Sequence, residues 1–285
     1  MKLSPRYDGL PIISIDGRWD DQVEPVARQR RRFEAMLAGI DDQQWQAASR
    51  CAGWTVQDVV AHLVGVTAFW EASVGAGLAG TPTRLLAAFD PAATPPLMVE
   101  PMRTLTPNEV LEQFVSSNDG FLGAIEGLDE RGWSMIAEAP AGHLPIRILV
   151  HHALWDCWVH ERDIALPLGL EGAVEPDEVH ACLRFAAALS PALAMGNSSE
   201  PDTTSPGQFA VAATDPDTHF VLEVGESVAV HTGPARDGTP CLRGGAVSLV
   251  EALSLREPLP VATPPEWRSV LGGLATAFDA APISS

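Results

Sequence analysis

The chain has 285 residues, 46% of them apolar and 19% charged, and its 37 acidic against 18 basic residues give a formal charge of −19. Such a chain can bury a sizeable core and is not disordered. Its acidity argues against nucleic acid and against an anionic membrane surface as partners. Four cysteines, Cys51, Cys157, Cys182 and Cys241, lie far apart with no CxxC, so neither a disulfide framework nor a cysteine zinc site is expected. The first residues, "MKLSPRYDGLPIIS", break any signal-peptide core with Pro, Asp and Gly. No stretch reaches eighteen uninterrupted apolar residues. The expectation is a soluble, reduced, cytoplasmic protein.

Residues 1–18 are rich in Pro and Gly and are expected to run extended over the surface. Residues 20–39 read as a first helix, with Val23, Val26, Phe33 and Leu37 in phase. It carries the one basic cluster, "RQRRR" at 28–32, expected to be a solvated face. A second helix is predicted over 55–75. Thr55 followed by Asp58 is a capping signature, and His62 falls on the apolar stripe of Val59, Val66 and Phe69. Residues 80–107 carry many prolines and no period, and loops of that length are often lids or binding loops. Thr106 and Glu109 start a third helix that runs to about residue 125. A fourth, within 144–169, starts near Pro145 and stops by Pro167 and Gly169. A fifth covers 176–194.

These helices make residues 1–197 a helix bundle. The polar stretch "GNSSEPDTTSPG", 196–207, reads as a linker. Beyond it "THFVLEVG" and "SVAVHTG" alternate as strands do. "GGAVSLVEALSL" reads as a helix entered through glycines and "PPEWRSVLGGLATAF" as a last one. The expected fold class is α+β in two domains, a four-helix bundle over 1–197 and a small α+β domain over 205–285.

His152, Asp156 and His160 are spaced by four on the fourth helix. Each step rises about 6 Å and drifts about 40°, so they share one side with Ile148, Val159, Asp163 and Leu166. Two ligands four apart can grip one metal ion, as in HExxH. The outer pair is about 12 Å apart, too far to share an ion, so a further ligand must come from elsewhere, and His62 is the candidate. Spacing alone equally allows core histidines hydrogen-bonded to carbonyls or carboxylates. Leaving such groups buried without partners would cost roughly 1–3 kcal/mol each. His151 points about 100° away. Cys157, Leu154, Trp155 and Trp158 read as packing and make this helix apolar nearly all round, as suits an element buried between bundle and second domain.

"WTVQDVVAHL", followed about ninety residues later by "DCWVHERDIALPLG", resembles the DinB-like metal-binding bundle. More closely it resembles the mycothiol-dependent maleylpyruvate isomerase family. In that family a Trp-Thr helix start precedes a ligand His, and a later helix carries a carboxylate and a His four apart, then an Arg/Asp pair. The matching positions are Trp54 and Thr55, His62, Asp156 and His160, then Arg162 and Asp163. "CLRGGAVSLVEALSLREPL" resembles the family's small second domain. The resemblance departs at Asp156, where the family has Glu, and at Arg256, which follows Leu255 where the family's C-terminal arginine usually follows Gly.

The resemblance implies a metal site of His62, Asp156 and His160. Two imidazoles and a carboxylate suit zinc, with another divalent metal as the alternative, and three protein ligands leave an open position. It further implies mycothiol as cosubstrate and a small electrophilic substrate, giving cis–trans isomerisation if the sulfur leaves again and a thiol conjugate if it stays. Spacing alone would equally permit zinc-bound hydroxide and hydrolysis, and the change to Asp156 leaves room for a non-catalytic binding module. Asp163 is a candidate to orient His160, or else caps the helix or pairs with Arg162. His152 is a candidate supporting group or alternative ligand. Arg147 and Arg256 are candidates to bind a substrate carboxylate, with surface pairing as the other role.

Overall fold

The computed structural model describes residues 3–17, 22–197, 207–233 and 235–278. In chain order these form β1 (Ile13–Ile15), α1 (Val23–Ala38), α2 (Asp42–Trp45), α3 (Val56–Leu78), α4 (Thr94–Val99), α5 (Pro107–Ile125), α6 (Glu130–Ser134), β2 (Ile136–Ala139), β3 (Gly142–Pro145), α7 (Ile146–Ala165) and α8 (Pro176–Asn197). Then follow β4 (Gly207–Thr214), β5 (Thr218–Val224), β6 (Val228–Thr232), β7 (Cys241–Gly245), α9 (Ala246–Leu253), α10 (Pro265–Leu271) and α11 (Gly273–Ala277).

The long helices α1, α3, α5 and α7 pack as the expected four-helix bundle. Their entry points follow the local sequence. At α3, Thr55 accepts from the Asp58 amide at 3.2 Å while Asp58 accepts from the Thr55 amide at 3.1 Å. Thr106 and Glu109 close the same reciprocal box at α5. One end of the bundle is a local cluster of Phe33, Leu37, Trp45, Val56, Val60, Leu63 and Phe114. A larger core runs without a break from Trp70 and Trp158 through Phe185 of α8 to Phe209, Val230 and Trp267. Helix α7 is therefore enclosed, with 17 of its 20 residues buried. Helix α3 has the length and hydropathy of a membrane span, but Val56, Val59, Val60 and Leu63 are buried inside the bundle. Thr55→Ala should lower stability by about 1 kcal/mol. Asp58→Ala should cost more, because Arg103 also loses one of its two acidic partners, at 2.8 Å, and keeps only Glu100; the urea midpoints of the two variants give the comparison.

The second unit is a mixed five-stranded sheet in the order β1-β6-β5-β4-β7, backed by α8, α9, α10 and α11. Its first strand corrects the reading of residues 1–18 as a surface run. Ile13 pairs in parallel with Val228 and is fully buried, so the N-terminal segment completes the C-terminal sheet. Three residues are too few to show a strand period. The division at 197 and 205 would assign this strand to the helical unit, and most of the linker between them lies outside the described residues. The start of the first helix at residue 20 also lies outside them.

Other elements differ from expectation for similar reasons. Residues 80–107 are not one loop: a 3-10 turn at Leu85–Ala88, α4 and a second 3-10 turn at Glu100–Thr104 fold them along α3. The β2–β3 hairpin and the short α2 and α6 have too few residues for periodicity to register. The last helix breaks into α10 and α11 at Gly272 and Gly273, and a Cβ on Gly273 would collide with the Ser190 carbonyl of α8. The basic cluster is not a solvated face. Arg28 bonds Asp177 at 2.6 Å, Arg32 bonds Glu161 and Glu178 at 2.8 Å, and Arg30 is 1% exposed. Its acidic partners lie on α7 and α8, where no local pattern announces them.

Candidate metal centre

Thr55 fixes where α3 begins, and His62 lies seven residues on, two turns up the face that meets α7. Asp156 and His160 come from successive turns of α7. The donor atoms of His62, Asp156 and His160 all lie within 4.8 Å of one another. His160 Nε2 is 3.8 Å from Asp156 Oδ1, and the rings of His62 and His160 meet edge to face at 5.2 Å. Trp54, just before the cap, lies 5.3 Å from the His62 ring. Nδ1 of His62 is buried with no hydrogen-bond partner. That leaves an imidazole nitrogen unsatisfied beside a second imidazole and a carboxylate, the donor set that a borderline-soft divalent cation takes. The residues present therefore fit a metal.

Behind this face His160 donates through Nδ1 to Asp163 Oδ2 at 3.0 Å. The bond fixes the tautomer and turns Nε2 toward Asp156 and His62, as supporting carboxylates do for metal-binding histidines. Asp163, fully buried, also takes a bidentate fork from Arg256 at 2.8 and 2.6 Å and a bond from Arg50 Nε at 3.0 Å. Glu251 of α9 receives Arg50 and Arg162, each at 2.6 Å. Leu255, immediately before Arg256, has φ of 60°. That left-handed conformation favours glycine, and it turns the chain so that Arg256 points back to the bundle.

Burial pushes the His62 pKa down to about 3, and the neighbouring His160 adds to that, so its ring is neutral and its lone pair free. Burial also raises the Asp156 carboxyl, opposed by the charges of His160, Arg30 and Arg256. For His160 burial disfavours the charged ring, but the Cys51 sulfur and the Asp163 hydrogen bond outweigh it and hold the pKa up at about 10. Asp163 is also disfavoured as an anion by burial, yet Arg256 and His160 hold it well below the usual carboxylate range.

Residues 26–165 match the family model described as the mycothiol maleylpyruvate isomerase N-terminal domain. That stretch, from α1 to the end of α7, is what this chain shares with that domain. Two solved structures are similar over both units. One is the crystal structure of the mycothiol-dependent maleylpyruvate isomerase, with TM-score 0.59 and 13% identity, covering 85% of this chain and 90% of that one. The other is a histidine-to-alanine mutant of that isomerase, with TM-score 0.60, 14% identity and the same coverage. At that identity the likeness establishes the fold, a helical bundle joined to a mixed sheet. Nothing among curated proteins matches.

Within this isomerase-type fold the structure brings together His62, Asp156 and His160, with Asp163 and Arg256 behind them. The shorter Asp156 still reaches the other donors. Asp163 neither caps the helix nor pairs with Arg162, and Arg256 is committed to Asp163 rather than to the surface. His152 stands apart, ringed by Trp70, Trp155 and Phe185 at 4.8 to 5.4 Å. Burial in that cage pushes its pKa down to about 3. Arg147 lies at the start of α7 and accepts through its carbonyl from His151 at 2.8 Å. Sequence reading missed Cys51, Arg50 and Glu251. Cys51 Sγ lies 3.2 Å from Asp163 and 3.6 Å from His160 Nδ1, forming a second group of potential donors. The segment "RCAGWT" has no period, so its only sequence signal was nearness to the helix start.

Proposed function

We propose that this protein is a zinc-dependent, mycothiol-using enzyme, an isomerase or thiol S-transferase acting on a small electrophile in the cytoplasm. The supporting observation is the convergence of His62, Asp156 and His160 from two helices, with the other nitrogen of His160 held by Asp163. Those three residues would hold the metal and leave a position open. A zinc ion held by them would lower the pKa of an entering thiol, ordinarily near 8.5, and so would supply a thiolate nucleophile. The sulfur would add to an electrophilic C=C, breaking the π bond and leaving a carbanion; after rotation, loss of the thiolate would re-form the double bond as the trans isomer, whereas return of the thiol's proton to the carbanion would give a conjugate. Asp163 and Arg256 keep His160 in one orientation throughout, and Trp54 covers the His62 ring.

The test is a cobalt-substituted protein titrated with mycothiol. The proposal predicts a thiolate-to-cobalt absorption band that saturates, together with electrophile consumption that requires the thiol. An unchanged spectrum would overturn it. Ester or amide cleavage without thiol would point to a hydrolase, and a protein that takes up no metal to a non-catalytic module.

A further inference from the structure

We infer that Arg30 is a positioning residue for this centre: its buried charge, paired with no carboxylate, biases the open coordination position toward an anionic ligand such as a thiolate. The inference rests on the metal-dependent reading above and adds to it a residue of α1. Arg30 is 1% exposed, and its guanidinium bonds the other three long helices of the bundle at once. Nη1 donates to Thr67 Oγ1 of α3 at 3.0 Å and to Asn118 Oδ1 of α5 at 3.1 Å. Nη2 donates to the Ala153 carbonyl of α7 at 3.1 Å. All three acceptors are neutral, and Nε is buried with no partner. Its neighbours on α1 differ: Arg28 and Arg32 each meet carboxylates within 3.0 Å. Among the described residues no carboxylate bonds Arg30. Glu34 is linked to it only through Asn118, whose amide donates to Glu34 at 2.8 Å. A guanidinium keeps its charge in a protein, and burying one without a counter-ion is costly. The fold retains that charge all the same.

The same bonds place the charge beside the centre. Ala153 comes three residues before Asp156 on α7, and helix side chains lean back over the preceding turn. The Asp156 carboxylate therefore leans toward the turn whose carbonyl takes Arg30. Thr67 lies five residues beyond His62 on α3, and His160 is about 10 Å along α7 from Ala153. The charge is felt there, since Arg30 is one of the cations that oppose the effect of burial on Asp156. Arg256 and Arg50 also stand near, but both contact Asp163, which offsets their charge. Nothing offsets Arg30 in that way. A divalent metal on two imidazoles and one carboxylate keeps a net positive charge, and Arg30 adds to the potential around it. An anion in the open position relieves both, and a neutral ligand relieves neither. A unit charge about 10 Å away is worth roughly tenfold in affinity at an effective dielectric constant near 20.

The test compares two ligands on cobalt-loaded protein: azide, an anion, and imidazole, a neutral donor. Cobalt content is matched between variants, and each titration is read from the cobalt absorption bands at one pH. Arg30→Met is expected to weaken azide by about tenfold and to leave imidazole unchanged. Arg30→Lys keeps the charge and should restore azide binding. Mycothiol should follow azide in all three proteins. Lost packing alone would move azide and imidazole together. Asn118→Asp, close to isosteric, leaves Arg30 in place and gives it a carboxylate partner, so it carries the same expectation as Arg30→Met where that variant does not fold. An azide-to-imidazole ratio unchanged in Arg30→Met or in Asn118→Asp would overturn the inference, as would an equal loss in Arg30→Lys, while metal uptake and the cobalt–mycothiol band stand. Cobalt that binds azide but gives no band with mycothiol would overturn the proposed function alone. Protein that takes up no metal would overturn both.

Discussion

Changing His160 to alanine is expected to weaken metal binding by more than a hundredfold while leaving the chain folded. His160 alone faces both layers of the centre, with Nε2 3.8 Å from Asp156 and Nδ1 3.0 Å from Asp163. Its loss removes one of three donors outright. Asp163 still keeps Arg256 and Arg50 at 2.6 to 3.0 Å, so that buried carboxylate stays paired. Asp163→Asn should have a smaller effect, about 10–100-fold, the usual penalty for losing a carboxylate that supports a metal-bound histidine. Competition against a chelator of known affinity, with thermal melts alongside, gives the ranking. If His160→Ala bound metal as tightly as Asp163→Asn, the assignment of His160 as a ligand would fail. Proton release offers a second readout. With its pKa held up at about 10, His160 carries a proton at neutral pH that a metal must displace, so affinity should rise with pH. The same shift has a folding counterpart without metal. The charged ring stabilises the fold fully below about pH 6.5, its unfolded pKa, and that contribution fades as pH climbs toward 10.

The second large effect is expected far from the metal. Glu138 is fully buried, and its carboxylate accepts from Tyr7 Oη and Thr83 Oγ1 at 2.6 Å and from the amides of Leu85 and Leu86 at 2.8 Å. Its own amide and carbonyl both bond Ser73 Oγ of α3 at 2.8 Å. One side chain therefore ties the N-terminal segment and the 3-10 turn at Leu85–Ala88 to the β2–β3 hairpin. Glu138→Ala strands four donors, two of them on the backbone. Each stranded buried donor costs about 1–3 kcal/mol, partly recovered where water can enter. A loss of about 3–5 kcal/mol is expected, a large share of a typical total stability of 5–15 kcal/mol. Urea unfolding measures it, and limited proteolysis should show early cleavage within residues 80–90. A change below about 1 kcal/mol would mean that Glu138 is not the tie described here.

What the sequence made legible was whatever is encoded locally. The capping pairs Thr55/Asp58 and Thr106/Glu109 placed two helices, because their hydrogen bonds close within three residues. The spacing of Asp156 and His160 placed both on one side of α7, and the inward position of His62 supplied the facing donor. What stayed hidden depends on distant partners. Ile13–Ile15 becomes a strand only because Val228 lies beside it. Arg28 and Arg32 become an interhelical lock only through acids on α7 and α8. The reach of Arg50 and Arg256 to Asp163, across 113 and 93 residues, leaves no periodic trace. Arg256 was placed near the site by family likeness, but its commitment to Asp163 could be read only from the fold.

The central claim is that His62, Asp156 and His160 form one open metal site. Its most direct test is the metal content of the protein purified without chelators, wild type beside His62→Ala, by inductively coupled plasma mass spectrometry. The account predicts about one zinc per wild-type chain and close to none in the folded variant. A wild-type protein free of metal, or a His62→Ala protein that keeps its zinc, would contradict it.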